Sequence, residues 1–202
     1  MISMWRSWAW SVLFLVASCS STVTATPIPS TPIVETAGPG IYRVPDDRPM
    51  LCDTISYAAL KDLQGEPNGK PEITKTGSDP ATVSGVRCAQ QLDGGLISTH
   101  ISFWTKVETA RSQYDHHRDD VDKEEGKMTE RPGIGTQAYA LEHKLGGPTS
   151  PILQMQVQDS NAFLKLRLIT DKPTEYTPDE INALFDAMGA FAKDVLAELP
   201  KA

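Results

Sequence analysis

The chain has little positive charge, few aromatic residues and no Asn-x-Ser/Thr acceptor for glycosylation. Its 19 Lys and Arg face 26 Asp and Glu, a formal charge of −7. The electrostatic footprint of a phosphate-backbone binder is therefore missing, and nucleic acid is not an expected partner. Aromatics at 7% and a mean hydropathy of −0.29 exclude a polytopic membrane protein. Catalytic signatures are absent as well: there is no Gly-x-Ser-x-Gly elbow, no glycine-rich phosphate loop and no His-Glu-x-x-His helix. Gly133 and Gly135 lack the spacing of a dinucleotide loop and read as turn glycines. What remains in 202 residues, 40% of them apolar, is one globular domain with appendages.

The first appendage is a short apolar segment. Only Arg6 is charged before Trp8, and Trp8 to Ala17 is apolar apart from Ser11, too brief a run to span a bilayer. It ends in Val16-Ala17-Ser18-Cys19, which resembles a bacterial lipobox: an aliphatic residue, two small ones that fit a peptidase groove, then cysteine. Residues 1–18 are expected to be a signal peptide and Cys19 the lipid-bearing start of the mature chain, because its sulfur is the atom that forms a thioether to diacylglycerol. A plain secretory signal and an uncleaved anchor are the competing readings, and both also place the domain on the extracytoplasmic face. A diacylglyceryl anchor holds stably where one acyl chain binds only marginally.

Residues 19–51 follow as a Ser/Thr/Pro-rich tether, with Pro27, Pro29, Pro32, Pro39, Pro45 and Pro49 too close for a helix or a central strand. At polyproline rise such a segment reaches up to ~100 Å. Thr22, Thr24, Thr26 and Thr31 would suit O-glycosylation on an exported stalk.

With Cys19 set aside, Cys52 and Cys88 form an even pair, and an exported compartment lets them oxidise. A disulfide is expected; closing a loop of about 37 residues is worth ~4 kcal/mol in the chain-entropy picture. A metal or redox pair is the alternative, but no Cys-x-x-Cys spacing or neighbouring ligand completes it.

Periodicity divides residues 52–202 into elements. Ser56 is placed to cap a helix over Tyr57–Gln64, with Leu60 and Leu63 on one face and Gly65 as its stop. Asn68 to Pro80 reads as a loop. Val83–Leu92 and Leu96–Trp104 read as a hairpin around Asp93-Gly94-Gly95, with Ile97, Thr99, Ile101 and Phe103 on the core face and Ser98, His100 and Ser102 on a wetter one. Thr105–Gly126 is a helix whose stripe is Val107, Ala110, Tyr114, His117 and Val121. Three strands follow: Gln137–Glu142, Ile152–Gln158 and Ala162–Thr170, the last setting Leu164, Leu166 and Leu168 against Lys165 and Arg167. Thr177-Pro178-Asp179-Glu180 then opens a long helix with a capping box and proline at its first position. The order is α-β-β-α-β-β-β-α, an α+β domain with an antiparallel sheet of about five strands packed by helices.

One polar cluster invites a chemical reading. On the second helix His116 stands i,i+4 to Asp120 and i,i+3 to Asp119, with His117 and Asp122 beside them. A metal site would need a further ligand, such as Asp115 or Glu124. Arg118, Lys123 and Lys127 interleave with the acids, so a solvated charged face is the expectation, with no metal and no cofactor. His100 and His143 read as surface histidines. Ser98 and Ser102 flank His100, but strand spacing sets them beyond reach as a catalytic dyad.

Taken together, the lipobox at Cys19, the tether, Leu51-Cys52-Asp53 with Ser56, Leu60 and Leu63, Cys88, Pro132-Gly133-Ile134-Gly135 before Ala138-Tyr139, and the closing helix resemble an uncharacterised family of actinobacterial cell-envelope lipoproteins. The resemblance implies a PsbP-like α/β/α sandwich, a fold used mostly for binding and scaffolding, and it carries no catalytic residues. The expected function is a lipid-anchored binding or scaffold domain at the cell envelope. Its partners would be the membrane, through the anchor, and an envelope protein or lipid. The alternative is a carrier of an apolar ligand between sheet and helices, lined by Met155, Leu164, Leu166, Phe185 and Met188. An envelope hydrolase is the remaining reading.

Overall fold

The computed structural model describes residues 40–77, 83–121 and 126–202. The expected signal peptide, Cys19, the tether as far as Pro39, and Asp122 lie outside the described residues. Among the described residues no helix is long and apolar enough to cross a membrane.

The chain is α+β. Among the described residues seven antiparallel strands form one sheet: β1 (Glu72–Thr76), β2 (Val83–Leu92), β3 (Gly95–Trp104), β4 (Gly126–Glu130), β5 (Gln137–His143), β6 (Ile152–Asp159) and β7 (Ala162–Thr170). Four α-helices accompany them: α1 (Met50–Thr54), α2 (Lys61–Gln64), α3 (Val107–Val121) and α4 (Pro178–Glu198). The strand order is β1-β2-β3-β7-β6-β5-β4. The first three strands meander from one edge to the centre, and α3 then carries the chain across one face to the opposite edge. The last four strands meander back until β7 pairs with β3.

The two faces are buried differently. Val86, Cys88, Ile97, Ile101, Leu164, Leu166, Leu168, Leu153, Met155 and Val157 share one face and form the main core with the apolar side of α4. That helix begins as its sequence dictates: the Thr177 hydroxyl accepts from the Glu180 N–H, and the Glu180 carboxylate accepts from the Thr177 N–H. On the opposite face α3 packs Tyr114 against Tyr139, Leu141 and Phe163, a much smaller cluster. Tyr114 meets Tyr139 edge-on at 5.4 Å.

Several expectations need correction. The sheet has seven strands rather than about five, because both edge strands escaped notice. β1 falls in the stretch expected to be a loop, and β4 begins at Gly126, the residue expected to end the helix. Each is short and mostly solvent-exposed, so neither carries the alternation that marks a half-buried strand. At β4 a side chain on Gly126 would overlap the Glu142 carbonyl, so the glycine expected as the last residue of the helix serves strand pairing instead.

The helix expected over Tyr57–Gln64 is a 3-10 turn, Ala58–Leu60, followed by the single turn of α2. Ser56 bonds only the Ala58 N–H, at 3.4 Å. Leu60 is buried but Leu63 is 45% exposed, so the two do not share an apolar face.

The folded part also begins before Cys52. Asn161 grips Tyr42 from both sides: the Tyr42 N–H donates to Asn161 Oδ1 (3.0 Å), and Asn161 Nδ2 donates to the Tyr42 carbonyl (2.8 Å). Tyr42 OH donates to Asp159 at 2.6 Å, and burial, with Asp159 beside it, pushes the phenol well above the ordinary tyrosine range. The stretch from Gly40 to Leu51, assigned above to the tether, is thus part of the domain. Cys52 and Cys88 are joined, with Cα atoms 5.5 Å apart, tying α1 to β2 inside the core.

Candidate functional site

The helix cluster stays at the surface. His116 Nε2 lies 3.2 Å from Asp120, with both side chains 66% exposed. Asp119 and Asp115 instead face Arg118, at 3.2 and 3.4 Å. Among the described residues no group of three or more His, Cys, Asp or Glu side chains converges. His117 is a core-edge side chain, stacked on Phe163 at 5.7 Å. Met155, Leu164, Leu166, Phe185 and Met188 are buried members of the main core.

What the topology assembles lies on the α3 face of the sheet. Register aligns one row across all seven strands: Thr74, Arg87, His100, Lys165, Gln156, Tyr139 and Glu130. The neighbouring row reads Glu72, Ala89, Ser98, Arg167, Gln154, Leu141 and Met128. The apolar contacts of α3 fall on Phe163, Tyr139 and Leu141. Away from that cluster lies a groove of about 490 Å³, walled by His143, Lys144 and Leu145 on one side and Lys165 and Arg167 on the other. Ile152 and the buried Gln154 complete it. Among the described residues no acidic side chain lines it.

The net charge of the whole chain conceals this local basic face. His100 is half-buried here rather than a simple surface residue. Its Nε2 is 2.7 Å from Thr76 Oγ1 and 3.4 Å from Ser102 Oγ. The expectation that strand spacing keeps Ser102 out of reach is therefore incorrect, because side chains lean along a strand. Ser98 is engaged otherwise, accepting from Arg87 Nε at 2.8 Å. Burial, then the charges of Lys165 and Arg87, hold the His100 imidazole below the ordinary histidine value.

His143 Nε2 lies 3.4 Å from Gln154 Oε1, which joins the end of β5 to the groove floor. Further along, β6 presents Gln156 and Gln158 to the same face, and both are fully buried. Neither amide atom of Gln156 has a hydrogen-bond partner among the described residues. Leu145, at the groove rim, is 90% exposed.

In comparison with known proteins, the chain matches no family model and no curated relative.

Proposed function

We propose that this protein is an exported, membrane-anchored binding module whose working surface is the basic groove on its sheet. The observation that carries the reading is that the small apolar cluster under α3 occupies one part of a seven-stranded face, while the remainder holds a cationic groove in an acidic protein.

The anchor rests on Cys19 and the apolar run before it. An oxidised Cys52–Cys88 pair fits an exported domain. The order of α4, sheet and α3 supports kinship with the PsbP-like α/β/α sandwich and with actinobacterial envelope lipoproteins. The apolar-carrier reading loses its proposed lining, because those five side chains fill the core between sheet and α4.

The test compares lysine acetylation rates, read by mass spectrometry, between the native envelope and the purified full-length protein. Occupation of the groove slows Lys144 and Lys165 relative to Lys193 and Lys201, which lie elsewhere. Uniform rates at all four would overturn the reading.

A further inference from the structure

We propose that a second pocket, on the α4 side of the sheet and separate from the basic groove, binds a small zwitterion of the α-amino acid type. Lys127 and Thr129 of β4, with Arg131 just after it, alternate onto that side and line the pocket. Register sets Glu142 of β5 directly opposite Lys127. The first turns of α4 close the pocket with Pro178, Ile181, Asn182 and Phe185, spaced to share one helix face. The volume is about 230 Å³, below the ~300 Å³ at which pockets for drug-sized ligands begin, and suits a molecule of one residue's size.

The charges on its wall are unspent. Among the described residues neither Lys127 nor Glu142 makes an ion pair, although cross-strand positions set their Cβ atoms ~5 Å apart. The neighbouring acids are committed: Asp186 accepts from Arg131 Nη1 at 3.0 Å, and Glu180 accepts from Lys172 Nζ at 2.6 Å. Arg131 also lies over the Phe185 ring, 5.1 Å from its centroid, which holds the guanidinium against the pocket. A ligand carboxylate therefore has Lys127 and Arg131 to meet, and a ligand ammonium has Glu142. The exposed Asn182 amide serves either, since it both donates and accepts. An ion of one sign would match one wall and be repelled by the other, whereas a molecule carrying both charges matches both. Ile181 and Phe185, both nearly buried, add an apolar wall for a hydrocarbon side chain.

The experiment follows backbone amide NMR shifts of the full-length protein, held in a nonionic detergent, as L-leucine is added. Saturable shifts are expected around Lys127, Glu142 and Asn182. The analogue 4-methylpentanoate lacks the ammonium, and 3-methylbutylamine lacks the carboxylate. Each should bind about tenfold more weakly than leucine, since each forfeits a charge-assisted pair. Glu142→Gln should weaken leucine by a similar factor and leave 4-methylpentanoate no weaker, while Lys127→Gln should weaken both. Lys193→Gln, further along α4, should change neither. Thermal melts check that each variant is folded, and Asn182→Ala, which should also weaken leucine, serves if one is not.

Three results overturn the proposal: leucine that does not saturate, a one-charge analogue that binds as tightly as leucine, or folded pocket variants that bind leucine as the wild type does. The acetylation comparison does not probe this pocket, so the two readings stand or fall separately.

Discussion

Replacing Asn161 by Ala tests whether the segment before α1 belongs to the fold. The Asn161 side chain makes three hydrogen bonds, accepting from the Tyr42 N–H at 3.0 Å and donating to the carbonyls of Tyr42 (2.8 Å) and Trp104 (3.0 Å). Asn161 is 3% exposed, so in Asn161→Ala the abandoned backbone groups gain little contact with water unless the segment moves. At a net ~1 kcal/mol per bond, the loss should be about 3 kcal/mol, a large share of the ~5–15 kcal/mol by which domains are stable. The Asp159 contact of Tyr42 and the pairing of Ile41 with Ala202 would loosen together, since they hold the same segment. Urea unfolding gives the free energy, and a smaller slope in the variant would show that surface is already exposed in its native state. Ser160→Ala, which removes one exposed bond to Ile41, is the control and should cost under ~1 kcal/mol. A loss below about 1 kcal/mol for Asn161→Ala, with unchanged slope, would refute the reasoning.

Three other outcomes follow from named contacts. Cys52→Ser/Cys88→Ser, which opens a bridge of sequence separation 36, should lower unfolding free energy by ~4 kcal/mol; equal denaturation midpoints for wild type and variant would count against it. Lys172, then the Thr177 backbone and hydroxyl, lower the Glu180 carboxyl from the ordinary 4.5 to about 2. Because that value is depressed in the folded state, its contribution is present above pH 4.5 and is lost as the pH falls toward 2. Glu180→Gln should therefore be the less stable at neutral pH and show a flatter acid limb in thermal melts, whereas parallel curves would exclude this role. Cys19→Ala should release the protein to the medium or leave it unprocessed; an altered chain that still matures and stays with the membrane would remove the anchor.

The most regular elements were legible because local and tertiary signals agree in them. Strands β3, β6 and β7 alternate along most of their length, and Thr177 with Glu180 marks the α4 start by side-chain chemistry alone. The disulfide followed from cysteine count. Edge strands carry no such signal: β1 exposes nearly every residue, so Glu72-Ile73-Thr74-Lys75-Thr76 differs little from the polar loop around it. The docking of Tyr42 depends on Asn161, whose sequence separation is 119, and no local pattern reports it. The basic cross-strand row was illegible for the same reason. Arg87, His100 and Lys165 each look like one polar residue on an alternating strand, and their adjacency exists only once register sets β7 beside β3. Summed charge points the other way, since it counts the acids of α3 and α4 equally with cations that the sheet gathers in one place.

An NMR titration of the His100 imidazole probes that gathering most directly, because Arg87, Lys165, Thr76 and Ser102 are the groups arranged around it. The account predicts a midpoint below the ordinary histidine value of 6.5, held down by burial first and then by the neighbouring cations. A midpoint at or above 6.5 would contradict it.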